Sequence, residues 1–157
     1  MGSLKNTKAV DLASAVAKAI FAETKLDLKL VDEVILGQIL QAGVGQNAAR
    51  QVLINSGIDN SKSAFTINKV CGSGLKAIGL ARQSISLGEA EVILAGGAEN
   101  MSMSPYLLEW IREGYKMGDK KIIDSMIKDA LTCAFNNYHM GITAENLVKK
   151  YSLTREE

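Results

Sequence analysis

The sequence predicts a layered α/β domain with parallel strands, and two observations carry that prediction. Helical and strand-like periodicities alternate from Val10 to Ala95, in the order helix, strand, helix, strand, helix, strand. The connections between them are short, and glycines stop the helices. Parallel strands linked by right-handed helical crossovers are the arrangement that such alternation supports.

Each element has its own signal. Val10, Ala13, Ala17, Ile20 and Phe21 recur at helical spacing, with Asp11 in the first turn and Lys18 and Lys25 toward the end, so an amphipathic helix is expected with no strand before it. Asp32-Glu33 opens the short strand-like run Val34-Ile35-Leu36. Gly43-Val44-Gly45-Gln46-Asn47 reads as a loop ending in an N-cap, and a second helix follows to Ser56, with Gly57 as its stop. Ala64 to Val70 reads as a buried strand, Ser73 to Leu87 as a helix closed by Gly88, and Val92-Ile93-Leu94-Ala95 as a third strand. Gly96-Gly97-Ala98-Glu99-Asn100-Met101-Ser102 is then a turn at a strand's C-terminal end, where open α/β sheets place their sites.

From Met103 the pattern weakens, with aromatic residues and Met scattered among charges around Pro105, Trp110 and Tyr115, and a less regular excursion from the sheet is expected. Thr143 to Lys150 looks helical. Thr154-Arg155-Glu156-Glu157 has the spacing of a capping box, which opens a helix. With no opening strand and a helix start at the tail, the chain reads as incomplete at both ends.

Composition bounds the function. The chain has 157 residues, 47% hydrophobic and 22% charged, which describes a soluble globular domain long enough to bury its own core. A net charge of +1 with interspersed signs indicates neither a nucleic-acid nor a membrane partner. Two cysteines without close spacing argue for a reducing compartment and against a disulfide framework or a metal site. The N-terminus lacks an apolar signal region and no segment approaches spanning length, so a cytoplasmic or matrix-type location is expected.

The chemistry centres on Asn68-Lys69-Val70-Cys71-Gly72-Ser73-Gly74-Leu75, where strand periodicity changes to helical. Gly72, Ser73 and Gly74 are small enough to let the backbone turn sharply and to leave room beside the sulfur of Cys71. A thiol at a helix N-terminus feels unpaired N–H groups and the positive end of the dipole, which favour thiolate. Cys71 is therefore the candidate nucleophile. The competing readings are a small buried hydrophobe and a dinucleotide-binding turn. For the latter, Gly72-Ser73-Gly74-Leu75-Lys76-Ala77 matches G-x-G-x-x-A, but Glu99 lies further along than the ribose-binding acid of that motif. No P-loop and no G-x-S-x-G elbow occurs, so Ser73 is a poor hydrolase nucleophile.

Four blocks resemble the thiolase family in order and comparable spacing. They are Gln41 to Gln51, Val70-Cys71-Gly72-Ser73-Gly74-Leu75-Lys76-Ala77, Ala95 to Ser102, and Tyr138-His139-Met140-Gly141-Ile142-Thr143-Ala144-Glu145-Asn146. The resemblance covers nearly all of this chain and only the first part of a thiolase. It implies a thiolase-like three-layer α/β/α half over 1–102, lacking its first strand, and the beginning of the active-site-covering loop domain over 103–157. It implies that Cys71 accepts an acyl group from a coenzyme A thioester, the parent enzyme making or cleaving acetoacetyl-CoA as an acetyl-CoA C-acetyltransferase of fatty-acid or butanoate metabolism.

Tyr138-His139-Met140 resembles the short-chain form, in which residues matching Leu131, His139 and Met140 line the CoA and acyl pocket. The resemblance further implies CoA thioesters as substrates with no other cofactor, and a homo-oligomer, dimer or tetramer. The family's activating histidine belongs to a Gly-His-Pro segment of the second half, absent here, so His139 is not that base and the chain alone is expected to be inactive. Cys133 stands where the family often has aspartate and reads as a small loop residue. Alternatives are a broader-chain 3-ketoacyl-CoA thiolase fragment, a non-catalytic truncated module, or the dinucleotide-binding domain.

Overall fold

The computed structural model describes residues 2–156, which divide into two units between Ser104 and Pro105, residues 2–104 and 105–156. In the first, β1 (Glu33–Gly37), β2 (Ser63–Ile67) and β3 (Ile93–Gly97) form a parallel sheet in the order β2-β1-β3. Glu33 pairs with Ser63 on one side and Ile93 on the other, so the three strands run level to Gly37, Ile67 and Gly97. From β1 the chain steps one way to β2, then crosses back over β1 to β3. Two right-handed crossovers in opposite directions put their helices on opposite faces.

The core shows this layering. Val34 and Leu36 point to one face, where they pack with Val10, Ala17 and Phe21 of α1 (Ala9–Thr24) and with α2 (Ala48–Asn55). Ile35 points to the other, against Ala77 and Ala81 of α3 (Ser73–Ser86). Successive side chains of a strand face opposite ways, so β1 as the central strand is buried on both faces. Val34, Ile35 and Leu53 are almost wholly buried, each contributing about 1.5–3 kcal/mol relative to exposure.

Asn47 caps α2 as expected, its Oδ1 accepting from the Arg50 N–H, and Gly57 (φ 86°) follows the helix. The ends of β2 and β3 differ from the sequence expectation. β2 stops at Ile67 instead of Val70, because Asn68 accepts the Val70 N–H through its side chain and turns the chain out of the sheet. It is also only partly buried, since as an edge strand it has one neighbour among the described residues. β3 runs on through Gly96 and Gly97, which the sequence assigned to a turn.

The second unit is less regular. β4 (Tyr106–Leu107) pairs antiparallel with β5 (Ile123–Asp124), and the buried Ser125 donates its hydroxyl to the Pro105 carbonyl at 2.5 Å. A six-residue π-type turn, Met126–Leu131, leads to a bridged loop and then α4 (Met140–Tyr151). That helix starts earlier than Thr143 because His139 caps it, Nδ1 accepting from the Gly141 N–H at 3.0 Å. No further helix follows Tyr151 among the described residues, and Glu157, the acid of the expected capping box, lies outside them. No helix among the described residues is long and apolar enough to cross a membrane.

Candidate active site

Cys71 is exposed and stands immediately ahead of α3. The sharp turn that presents it belongs to Val70, whose φ is 48°. That left-handed conformation is unfavourable for a β-branched side chain, and the glycines nearby do not take it up: Gly72 has φ −86°. Neighbouring polar groups hold Val70 instead. Asn68 Oδ1 accepts the Val70 N–H at 2.8 Å. Ser73 Oγ accepts the Lys69 N–H at 2.8 Å and donates to the Val70 carbonyl at 2.6 Å. The Gly72 and Ser73 N–H groups donate to the Lys69 and Val70 carbonyls, each at 3.1 Å. Those two amides are therefore already engaged within the turn.

The glycines serve a different purpose. A Cβ at Gly37 would lie 2.5 Å from the Ser73 carbonyl carbon and 2.6 Å from the Gly74 nitrogen, and one at Gly97 would lie 3.0 Å from the Gly37 oxygen and 3.3 Å from Gly74 Cα. The first turn of α3 is thus seated directly on the C-terminal ends of β1 and β3. Gly74 lies at this seat, although a Cβ built on it would meet nothing nearer than 3.8 Å, so the packing limit rests on Gly37 and Gly97. Glu99, the acid that a dinucleotide site would need, is engaged elsewhere: its Oε2 accepts from the Ile39 and Leu40 N–H groups at 2.8 and 3.3 Å. Asn100 Nδ2 donates to the carbonyls of Leu4, Lys5 and Thr7, at 3.3, 3.1 and 2.6 Å. These two residues fasten loops at the strand ends.

In the second unit, Thr132 and His139 form an antiparallel bridge, which places their sequence neighbours Leu131 and Met140 at the same end of the loop. Leu131 is half-buried, while His139 and Met140 are exposed. Between the bridged residues, the Cys133 N–H donates to the Tyr138 carbonyl at 2.8 Å and the Asn137 N–H to the Cys133 carbonyl at 2.9 Å. The backbone N–H groups of Asn136 and then Phe135 hold the Cys133 thiol below its ordinary value of 9.0. A side-chain acceptor of two turn amides is the part an aspartate plays, so Cys133 has a definite turn role beyond its small size.

Sequence reasoning singled out Cys71 but missed the frame around it. Ser73 passed as a small residue, and Asn68 carried no assignment. An Asn placed two residues before a turn was the available signal; a left-handed Val leaves none. Among the described residues, no group of three or more His, Cys, Asp or Glu could hold a metal ion.

The whole chain, residues 1–157, matches the family described as "Thiolase, N-terminal domain". It is 54% identical over 156 residues to the acetyl-CoA acetyltransferase of Escherichia coli K12, and 53% identical to a probable acetyl-CoA acyltransferase of Staphylococcus aureus NCTC 8325. Each comparison covers 99% of this chain and 40% of the relative, so the chain spans well under half the length of the proteins it matches. The crystal structure of the Bacillus anthracis acetyl-CoA acetyltransferase superposes with a TM-score of 0.92 at 39% identity, over 99% of this chain and 39% of that one.

Proposed function

This chain belongs to the thiolase family, and from that premise we propose that it supplies the nucleophilic half of an acetyl-CoA C-acetyltransferase. The observation that carries the proposal is the exposed Cys71, held ahead of α3 by a turn of its own. Its sulfur, deprotonated, attacks the carbonyl carbon of acetyl-CoA or acetoacetyl-CoA. With acetyl-CoA the carbon–sulfur bond breaks and the thiolate of coenzyme A leaves with the electron pair. With acetoacetyl-CoA, attacked at its keto carbon, the bond from that carbon to the α-carbon breaks and the acetyl-CoA carbanion leaves with the pair. An acetyl-cysteine remains in either case. Splitting one acyl transfer into two steps is what a covalent nucleophile contributes. Leu131, His139 and Met140 contribute to the CoA and acyl pocket, supported by the bridge that gathers them at one end of a loop. No cofactor besides the thioesters takes part.

Carbanion formation and the activating base fall to a part of the enzyme outside these residues, so turnover by this chain alone is not expected. A homo-oligomer belongs to the same reading, supported by the outer edge of β2, unpaired among the described residues. So does a cytoplasmic site of action.

The test is acetyl transfer from acetyl-CoA at about pH 9, where thiols ionise without a general base, quenched in acid and mapped by mass spectrometry. An acetyl group on the Cys71 peptide that disappears in Cys71→Ser is the expected result. A folded chain acetylated at neither cysteine, or at Cys133 alone, overturns the assignment.

A further inference from the structure

We propose that Ser73 is a positioning residue for Cys71, acting through the Val70 peptide; this deepens the nucleophile reading and rests on it. A hydroxyl that merely caps a helix accepts from amides inside it. Ser73 Oγ looks the other way, accepting the Lys69 N–H at 2.8 Å and donating to the Val70 carbonyl at 2.6 Å. Its two bonds straddle Val70, the residue with φ of 48°. Rotation of Val70 toward the ordinary helical or extended regions would break both.

The anchor is itself fixed. Ser73 is 4% exposed, and the close seat of its backbone on Gly37 ties its position to β1. The position of the clamp therefore comes from the sheet and is imposed on the turn. The peptide between Val70 and Cys71 is planar, so pinning the Val70 carbonyl also pins the Cys71 N–H on the opposite side and the direction in which the Cys71 side chain leaves the backbone. A cysteine presented by an unclamped Val70 would relax with it. Asn68 Oδ1, bonded to the Val70 N–H at 2.8 Å, is a second restraint from the exposed side.

The experiment follows iodoacetamide alkylation of Cys71 and Cys133 by peptide mapping, with thermal unfolding in parallel. The variants are Ser73→Ala, Val70→Gly and the double variant. Losing the hydroxyl's hydrogen bonds is expected to slow Cys71 labelling about tenfold, with Cys133 in the other unit unchanged. Glycine takes up the left-handed turn without a clamp, so in the Val70→Gly background the same change is expected to cost about threefold or less.

An unchanged ratio of Cys71 to Cys133 labelling in Ser73→Ala overturns the proposal, as does an equal slowing in both backgrounds. If Ser73→Ala fails to fold, recovery of folding and of Cys71 labelling in the double variant supports the clamp, and no recovery overturns it. Alkylation requires no coenzyme A. A Ser73-dependent Cys71 that takes no acetyl group from acetyl-CoA therefore refutes the acyl-transfer reading while upholding the positioning role.

Discussion

Val70 takes a left-handed conformation with two glycines close behind it, although glycine would adopt that conformation more readily. Glycine is required instead at Gly37 and Gly97, where backbone approaches backbone. At Gly37 an added Cβ would meet the first turn of α3 at 2.5–2.6 Å, and no flexible side chain is there to yield. Gly37→Ala is therefore expected to destabilise the chain by about 3 kcal/mol or more, through displacement of a helix from its seat. Gly79, in the middle of α3, is the control, since nothing lies within 4 Å of a Cβ built there. Gly79→Ala should stabilise by about 0.5–1 kcal/mol from helix propensity alone. Urea denaturation of both variants decides the matter, and equal effects would mean that the contact at Gly37 is not a packing limit. At this scale the sequence disclosed which residues were special better than why. Cys71 and the small residues beside it were visible as types, whereas the strain fell on a valine that nothing local marks.

Among the elements, those whose signals are local were legible. The periodicity of α1, the Asn47 cap and Gly57 stop of α2, and the extent of α3 follow from side chains within a few residues of each boundary. Strand ends depended on more distant partners. β3 continues into Gly96 and Gly97 because β1 offers Leu36 and Gly37 to pair with, and β2 ends early because the Asn68 side chain takes up a backbone amide. The start of α4 was hidden by a cap of an unusual kind, a histidine ring nitrogen. Asn47 shows how a local cap also serves tertiary structure. Its Oδ1 accepts from the Arg50 N–H and the Thr66 hydroxyl, at 3.2 and 3.1 Å, and its Nδ2 donates to the Ala64 carbonyl at 2.8 Å, so the N-terminus of α2 is tied to β2. Its φ is 44°. Asn47→Ala loses the cap and keeps a Cβ in the left-handed region, for about 2 kcal/mol or more; Asn47→Gly keeps the backbone and should cost about 1 kcal/mol. Equal losses in denaturant would show that the backbone conformation there contributes nothing.

Over the whole molecule, the layered sheet and its family were legible because alternation and four motif blocks span the chain. The pH response was not, because it arises from carboxylate and thiol contacts made only on folding. Asp32, beside the start of β1, accepts from the Glu91 and Val92 N–H groups at 2.8 and 3.1 Å and from Lys62 at 3.4 Å, linking the entries of all three strands. The Glu91 amide first, then Val92, with a contribution from Lys62, hold its carboxyl below the ordinary 3.8. Asp59 is held below the same value by the Ser61 hydroxyl and backbone N–H. A carboxyl with a lowered folded pKa stabilises the fold above its unfolded pKa, and that stabilisation is lost as pH falls through the folded value. The first unit should therefore weaken in acid below 3.8, and Asp32→Asn should flatten that limb at the cost of some stability at neutral pH. The second unit responds at the opposite end. The Cys133 thiol is held below 9.0, so its contribution grows as pH rises through the folded value and is complete above 9.0. Trp110 is the only tryptophan and lies in the second unit, so its fluorescence reports that unit while far-ultraviolet circular dichroism reports both. Thermal unfolding followed by the two signals should show an acid limb that depends on Asp32 and an alkaline gain in tryptophan-detected stability that Cys133→Ser removes. An alkaline gain that persists in Cys133→Ser would mean that the turn amides of Phe135 and Asn136 do not stabilise the thiolate.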